Sequence, residues 1–283
     1  MKRKLILALI LFLTCILAVG QERGSTVPQG TSIPGLGGLS LGMDGPGFVE
    51  FGGSYSHLSR TELSAPFAPW GDAYLRGMMS RGNNKFNAEL TRQVHYSDTG
   101  WFYGLGWIRT WSPNWFTEVS AGSSTRGFFL PKFRTDAIVN RKVLSRQQLV
   151  LTGGVGYDKS KTVNTATRFQ AGGSYYFEHP FVLQGGVVWT RANPGSIVAR
   201  SQFLAVTQGH DKEHFISLRA EIGREGYELI GPQAALFDFV VHNYSANWRQ
   251  WLGPNWGFNL AFEHESNVSF RRFGGTLGFF MDF

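Results

Sequence analysis

Phe86-Asn-Ala-Glu-Leu-Thr-Arg-Gln-Val-His-Tyr96 is the run whose reading decides the fold. Phe86, Ala88, Leu90, Val94 and Tyr96 share one parity, while Asn87, Glu89, Thr91, Gln93 and His95 share the other. A period of two belongs to an extended strand, whose successive side chains point to opposite faces, here one apolar and one polar. The alternation recurs at Trp101, Tyr103, Leu105 and Trp107, at Leu149, Leu151, Val155 and Tyr157, and at Phe181, Leu183, Val187 and Trp189. It returns at Trp256, Phe258, Leu260 and Phe262, opposite Asn255, Asn259 and Glu263. No helical stripe at i, i+3 and i+4 competes with it over a long window.

From Gly47 to Phe283 the pattern predicts about fourteen strands, at 47–58, 70–80, 85–96, 101–111, 114–124, 133–144, 147–158, 164–178, 181–192, 197–208, 213–225, 236–251, 254–265 and 270–283. Twelve is the alternative if two shorter candidates are loops. Each reaches the ~9–11 residues that cross a bilayer at a tilt. Connections 59–69, 97–100, 125–132, 159–163, 193–196, 226–235 and 266–269 are on average longer than those between them. That asymmetry of long loops and short turns marks an outer-membrane barrel with both chain ends on the periplasmic side. Trp111-Ser-Pro-Asn-Trp115, Glu178-His-Pro-Phe181 and Trp251-Leu-Gly-Pro-Asn-Trp256 read as short turns flanked by interfacial aromatics. Trp70, Trp101 and Trp189 are expected in the opposite girdle. The last strand puts Phe273, Leu277, Phe279, Met281 and Phe283 on one parity and ends on an aromatic, so it should pair with the first strand to close the sheet. The fold class is therefore all-β, a transmembrane antiparallel up-and-down barrel.

Composition agrees. Of 283 residues, 36 are Gly, 15% are aromatic and only 17% are charged, against roughly 25% charged in an ordinary soluble domain. A medium other than water should cover much of the surface, which weighs against a soluble β-sandwich, and the aromatic content excludes disorder along the whole chain. Residues 1–20 read as a secretory signal, with Lys2, Arg3 and Lys4 before an apolar run and Ala18-Val19-Gly20 before the cut. Residues 21–46, rich in Gly, Pro, Ser and Thr, read as a flexible periplasmic tail before the barrel of 47–283. Cleavage would lower Lys+Arg from 27 to 24 against 20 acids, so the net charge falls from +7 to +4. It would also remove Cys15, the single cysteine, and with it disulfide, thiolate and Cys-metal chemistry.

Several short runs carry a family resemblance. Phe129-Leu-Pro-Lys-Phe133-Arg134-Thr-Asp136, Gly172-Gly173-Ser-Tyr175, Ser217-Leu-Arg219, and Gly226-Tyr227-Glu-Leu229-Ile-Gly231-Pro232, in that order, resemble the YaiO family of outer-membrane β-barrel proteins. The Gly47 to His57 strand and terminal Phe283 are similar too. The resemblance implies a signal-bearing outer-membrane barrel and supplies no catalytic residue to carry over.

On the polar parity lie Glu50, Glu89, Glu118, Arg134, Asp136, Arg168, Glu178, Arg219, Glu221, Asp238, Glu263 and Arg272, with both signs interleaved. In a barrel they face the lumen, because Arg or Lys on the lipid side at mid-depth costs ~2–4 kcal/mol. They predict a salt-bridged interior that fills or narrows the lumen. The sharper alternative is a selective polar pathway with Arg134, Asp136, Arg168, Arg219 and Glu221 as ligand contacts. The seven histidines have no zinc spacing. Ser54 with His95, and Ser174 with His242, share parity without anything that fixes their proximity. Gly153-Gly-Val-Gly156 lies in a strand pattern with no following helix, so its glycines point to barrel bending or close packing rather than phosphate binding. No enzyme activity, cofactor or metal is expected. No basic-aromatic cluster suggests nucleic acid once the signal is gone. The expected partners are outer-membrane lipid, the barrel-assembly machinery, and a saccharide or other small polar solute. The expected role is a narrow channel or structural envelope barrel linked to saccharide passage. A lipid-modifying hydrolase of the lipid A deacylase or phospholipase type, and an adhesion barrel acting through loops 59–69 and 226–235, are the alternatives.

Overall fold

The computed structural model describes residues 47–60, 68–231 and 234–283. The signal, tail and most of the 59–69 loop lie outside them. Fourteen strands follow in order: β1 (Gly47–Arg60), β2 (Trp70–Arg81), β3 (Asn84–His95), β4 (Asp98–Ser112), β5 (Trp115–Arg126), β6 (Phe133–Val143), β7 (Leu149–Lys159), β8 (Thr165–Tyr176), β9 (Phe181–Asn193), β10 (Ile197–His210), β11 (His214–Gly231), β12 (Ala234–Trp251), β13 (Trp256–Ser266) and β14 (Phe270–Asp282). Each pairs antiparallel with its sequence neighbours, and β1 pairs with β14 to close the barrel. The closing register runs from Phe48 opposite Asp282 to Arg60 opposite Phe270. Beyond it, Gly47 N donates to Phe283 O at 3.2 Å and Phe283 N to Gly47 O at 3.0 Å, tying the ends of the barrel chain together.

Side-chain direction follows parity. Phe51, Leu75, Phe86, Leu105, Phe262 and Phe273 stand exposed on the outer wall, as lipid contact requires. Glu50, Arg76, Glu89, Arg134, Arg168 and Arg219 are buried inside. Trp101 and Trp189 hold the loop-side girdle and Trp111, Trp115, Phe181 and Trp256 the other, all exposed outward.

Some expectations change. Trp70 and Trp251 are buried in the lumen instead of standing in girdles, because each falls on the inward parity of its strand, Trp70 with Tyr74 and Arg76 and Trp251 with Arg249. Tyr96 lies past the end of β3 in a left-handed turn, φ 52°, and packs inward. Glu178 is exposed in the turn after β8 and pairs with Arg146. Asp238 also faces outward and pairs with Arg224 at 2.9 Å. It sits at φ 47°, which interrupts the alternation, so Phe237 and Asp238 are exposed side by side. The 226–235 segment is strand on both sides of residues 232–233, not a long loop. The contrast between long loops and short turns is correspondingly weaker than the sequence suggests.

Glycines in the seam make room for inward side chains. Gly52 faces Gly278 in the β1/β14 register, and a Cβ on Gly52 would stand 2.5 Å from the Tyr74 hydroxyl. A folded barrel should run faster on a gel unboiled than boiled, and resist protease. Gly278→Val, which drives carbons into Tyr74 and Glu50, should cost about 1–3 kcal/mol of stability, read as a lower urea midpoint of the unboiled band.

Candidate functional site: a charged lumen closed at both ends

The lumen has three levels. At the end that bears Gly47 and Phe283, Ile108, Phe116, Val150, Tyr176, Val182, Phe215, Trp251 and Phe280 form one buried apolar cluster. These are inward-parity residues at the ends of eight strands, so their convergence comes from barrel closure alone.

Above it is the charged level. Glu50, on β1, accepts from Arg76 at 2.6 Å, Tyr74 at 2.9 Å, Asn259 at 2.6 Å and Arg249 at 3.4 Å. Arg249 also lies 3.4 Å from the Phe280 ring centroid, joining this hub to the apolar cluster. Across the barrel, Arg134 bonds Asp136 at 3.1 Å, Arg168 bonds Asp136 at 2.5 Å, and Arg168 also bonds Asp158. Arg134 stands 3.7 Å from Asp158, so two cations alternate with two carboxylates on β6, β7 and β8. Gly156 provides the space, since a Cβ there would lie 2.6 Å from the Arg168 guanidinium. Arg219 bonds Glu221 at 2.8 Å and covers the Phe203 ring at 3.9 Å. Arg272 binds Glu265 at 3.0 Å and Glu263 at 3.1 Å.

Of the five candidate contacts, Arg134, Asp136 and Arg168 come together, while Arg219 and Glu221 pair with each other on β11. Asp158, Arg76 and Arg249 belong to these networks and were missed. Asp158 was legible by parity, since Tyr157 beside it is an outward residue. The Arg249–Glu50 pair joins strands far apart in sequence and has no local signal.

The third level is the loop-side mouth. The six residues between β5 and β6, Gly127–Lys132, fold inward over it. Arg126 and Gly127 have φ of 52° and 62°, and a Cβ on Gly127 would meet Gly100 Cα at 3.2 Å, so the turn suits glycine. Phe129 then stacks on His95 at 4.7 Å, and the other face of His95 stacks on Trp70 at 4.3 Å. Leu58, Trp70 and Phe270 pack beside them. The cap is held by polar contacts: Phe128 N donates to Asp98 at 2.9 Å, Lys161 to Gly127 O at 2.9 Å and to Arg126 O, and Ser123 to Lys132 O at 2.9 Å. Burial pulls the Lys161 ammonium down to about 8, against the opposing effect of Asp98.

Neither Ser–His combination named from the sequence is assembled as a nucleophile and its base. Ser54 and His95 both bond Asp72 at 2.8 Å, so the carboxylate stands between them and His95 does not reach the hydroxyl. Ser174 is inside, bonded to Gln184, whereas His242 has outward parity, so the two do not share a face as the sequence suggested. Among the described residues no group of three or more His, Cys, Asp or Glu is placed to hold a metal.

Fold and lumen together define an outer-membrane β-barrel whose interior is lined with paired charges. Residues 49–228 match the family described as the YaiO membrane beta barrel domain, and the chain belongs to that family. No curated protein matches it. Among solved structures it resembles the CymD monoaromatic hydrocarbon channel, at 7% identity and TM-score 0.60, covering 86% of this chain and 90% of that one. It is also similar to the Pseudomonas putida toluene transporter TodX, at 8% identity and TM-score 0.56, covering 85% and 90%. A bacterial polysaccharide outer membrane secretin aligns at 8% identity and TM-score 0.52, covering 84% and 98%. These likenesses show the barrel fold.

Glu50→Gln removes the carboxylate that compensates Arg76 and Arg249. Breaking one partner of a buried pair costs about 3–5 kcal/mol, so its unfolding midpoint should drop markedly. A Glu50→Gln/Arg76→Met double variant should recover part of the loss.

Proposed function

We propose that the protein is a narrow, normally closed outer-membrane channel for small polar solutes, with saccharides as the candidate cargo. The observation that carries this is the Gly127–Lys132 cap: the mouth is shut by a loop on a polar latch, not by the wall. A loop moves while the strand ladder stays paired. The lower seal is made of side chains, and a hydrophobic constriction of this kind gates by dewetting. Between the seals, guanidinium, carboxylate, hydroxyl and amide groups suit a hydroxyl-bearing solute. One structural neighbour is described as a monoaromatic hydrocarbon channel, one as a toluene transporter and one as a polysaccharide outer membrane secretin, which supports a barrel frame compatible with passage. The separation of Ser54 from His95 favours a non-enzymatic role.

In planar bilayers the wild type should open rarely, in discrete, voltage-independent steps. Hydrogen bonds to charged groups contribute ~1.5–3 kcal/mol each. Relaxing the latch with Asp98→Asn/Lys161→Gln should therefore raise open time at least about tenfold, and added maltose or larger sugars should block the current. If both proteins stay silent, the lumen is a permanent fill and the barrel is structural.

The latch also has a pH sign. The capped loop holds Lys161 at about 8 and a released loop returns it to its ordinary 10.5. The capped form then binds fewer protons between those values, so raising the pH through that window should favour closure and shorten open time.

A further inference from the structure

On the outer wall, β9–β14 carry a concavity of about 610 Å³. Leu204, Leu218, Phe262 and Phe273 wall it, and the small Ala220 and Ala246 form its floor. His264 stacks between Tyr244 at 6.4 Å and Phe273 at 4.2 Å on the same surface, and its Nδ1 has no hydrogen-bond partner among the described residues.

Cations border this groove on its loop side. Arg200 lies four residues beyond Leu204 and Arg224 four beyond Ala220, roughly 13 Å along each strand at ~3.3 Å per residue. The Ser201–Gly223 pairing sets the two arginines beside each other, and Arg271 lies two residues from Phe273 on β14. Asp238 neutralises Arg224 and holds it in place, with Nε to Oδ1 at 2.9 Å. Arg200 and Arg271 are exposed, with no ion pair among the described residues. Outward charge is nearly free of cost close to the membrane interface and expensive below it. The placement therefore fits cations at headgroup depth above an apolar trough at acyl depth.

We infer that this wall binds one phosphorylated, multiply acylated glycolipid of the outer leaflet, with its acyl chains in the groove and its phosphates on the arginines. Two features select this ligand over a phospholipid. The cations stand at the loop end, which faces the outer leaflet. Arg200 on β10 and Arg271 on β14 are four strand spacings apart, under about 20 Å across the curved wall. That separation suits two phosphates carried at opposite ends of a sugar headgroup, each held by charge-assisted hydrogen bonds.

The test is native mass spectrometry of the refolded barrel, titrated with bis-phosphorylated, hexa-acylated lipid A, with its fully dephosphorylated form, and with phosphatidylglycerol. Wild type should retain lipid A over both other lipids. Arg200→Gln/Arg271→Gln should lower retention at least about tenfold. Ala220→Leu/Ala246→Leu, which fills the groove and leaves every charge, should lower it similarly. Arg92→Gln/Lys159→Gln, on outward positions of β3 and β7, should leave retention unchanged. Equal binding of phosphatidylglycerol or dephosphorylated lipid A, equal loss in the β3/β7 variant, or no loss in the arginine variant overturns the assignment. Both arginines are surface residues, so the arginine variant decides the matter even where the groove variant fails to fold. None of these outcomes depends on whether the lumen conducts.

Discussion

A sheet that crosses hydrocarbon must pair every backbone N–H and C=O within itself, because no water is there to satisfy an open edge. Here the condition is met at the seam between β1 and β14, where pairing continues from Phe48 to Arg60 and ends in reciprocal hydrogen bonds between Gly47 and Phe283. Closure at this seam then sorts every other residue. Outward positions at mid-depth meet lipid and are apolar, and inward ones share a confined space from which they cannot escape to bulk solvent. Glycines such as Gly52, Gly156 and Gly278 are the cost of fitting Tyr74 and Arg168 into that space.

Confinement explains the chemistry of the lumen. Charges excluded from lipid must sit inside, and buried charges are tolerable only when paired and hydrogen-bonded. Hence Glu50 accepts from four partners, and Arg134, Asp136, Asp158 and Arg168 alternate in sign. Such pairs add little net stability relative to an apolar core, but removing one partner is costly. They fix a particular interior arrangement. The cap at the mouth is held differently, by loop and rim residues, Asp98, Lys161, Ser123 and Ser124, and by the packing of Phe129 and Leu130 against Phe102, and not by the strand ladder.

The outer wall is less uniform than its apolar average. Most of it is a plain lipid contact, but β9–β14 combine a trough lined by alanines with arginines on the loop side. The proposed glycolipid site rests on that combination.

The period-two alternation determined the strands, their order and the face of nearly every residue, because pleating ties side-chain direction to sequence position without reference to any partner. Hence Glu50, Arg134, Arg168 and Arg219 were rightly assigned to the inside, and Gly154 and Gly156 to close packing. Where alternation breaks, at left-handed Asp238 and Tyr96, the local rule gave the wrong face. Aromatic character alone also misplaced Trp70 and Trp251, since a tryptophan suits an interface and a core equally. Only the tertiary structure decided which inward residues meet across the barrel, that Phe129 stacks on His95, and that Asp72 separates Ser54 from His95. Those contacts depend on barrel circumference and register, which bring together residues as distant as Glu50 and Arg249, and no local pattern encodes that distance.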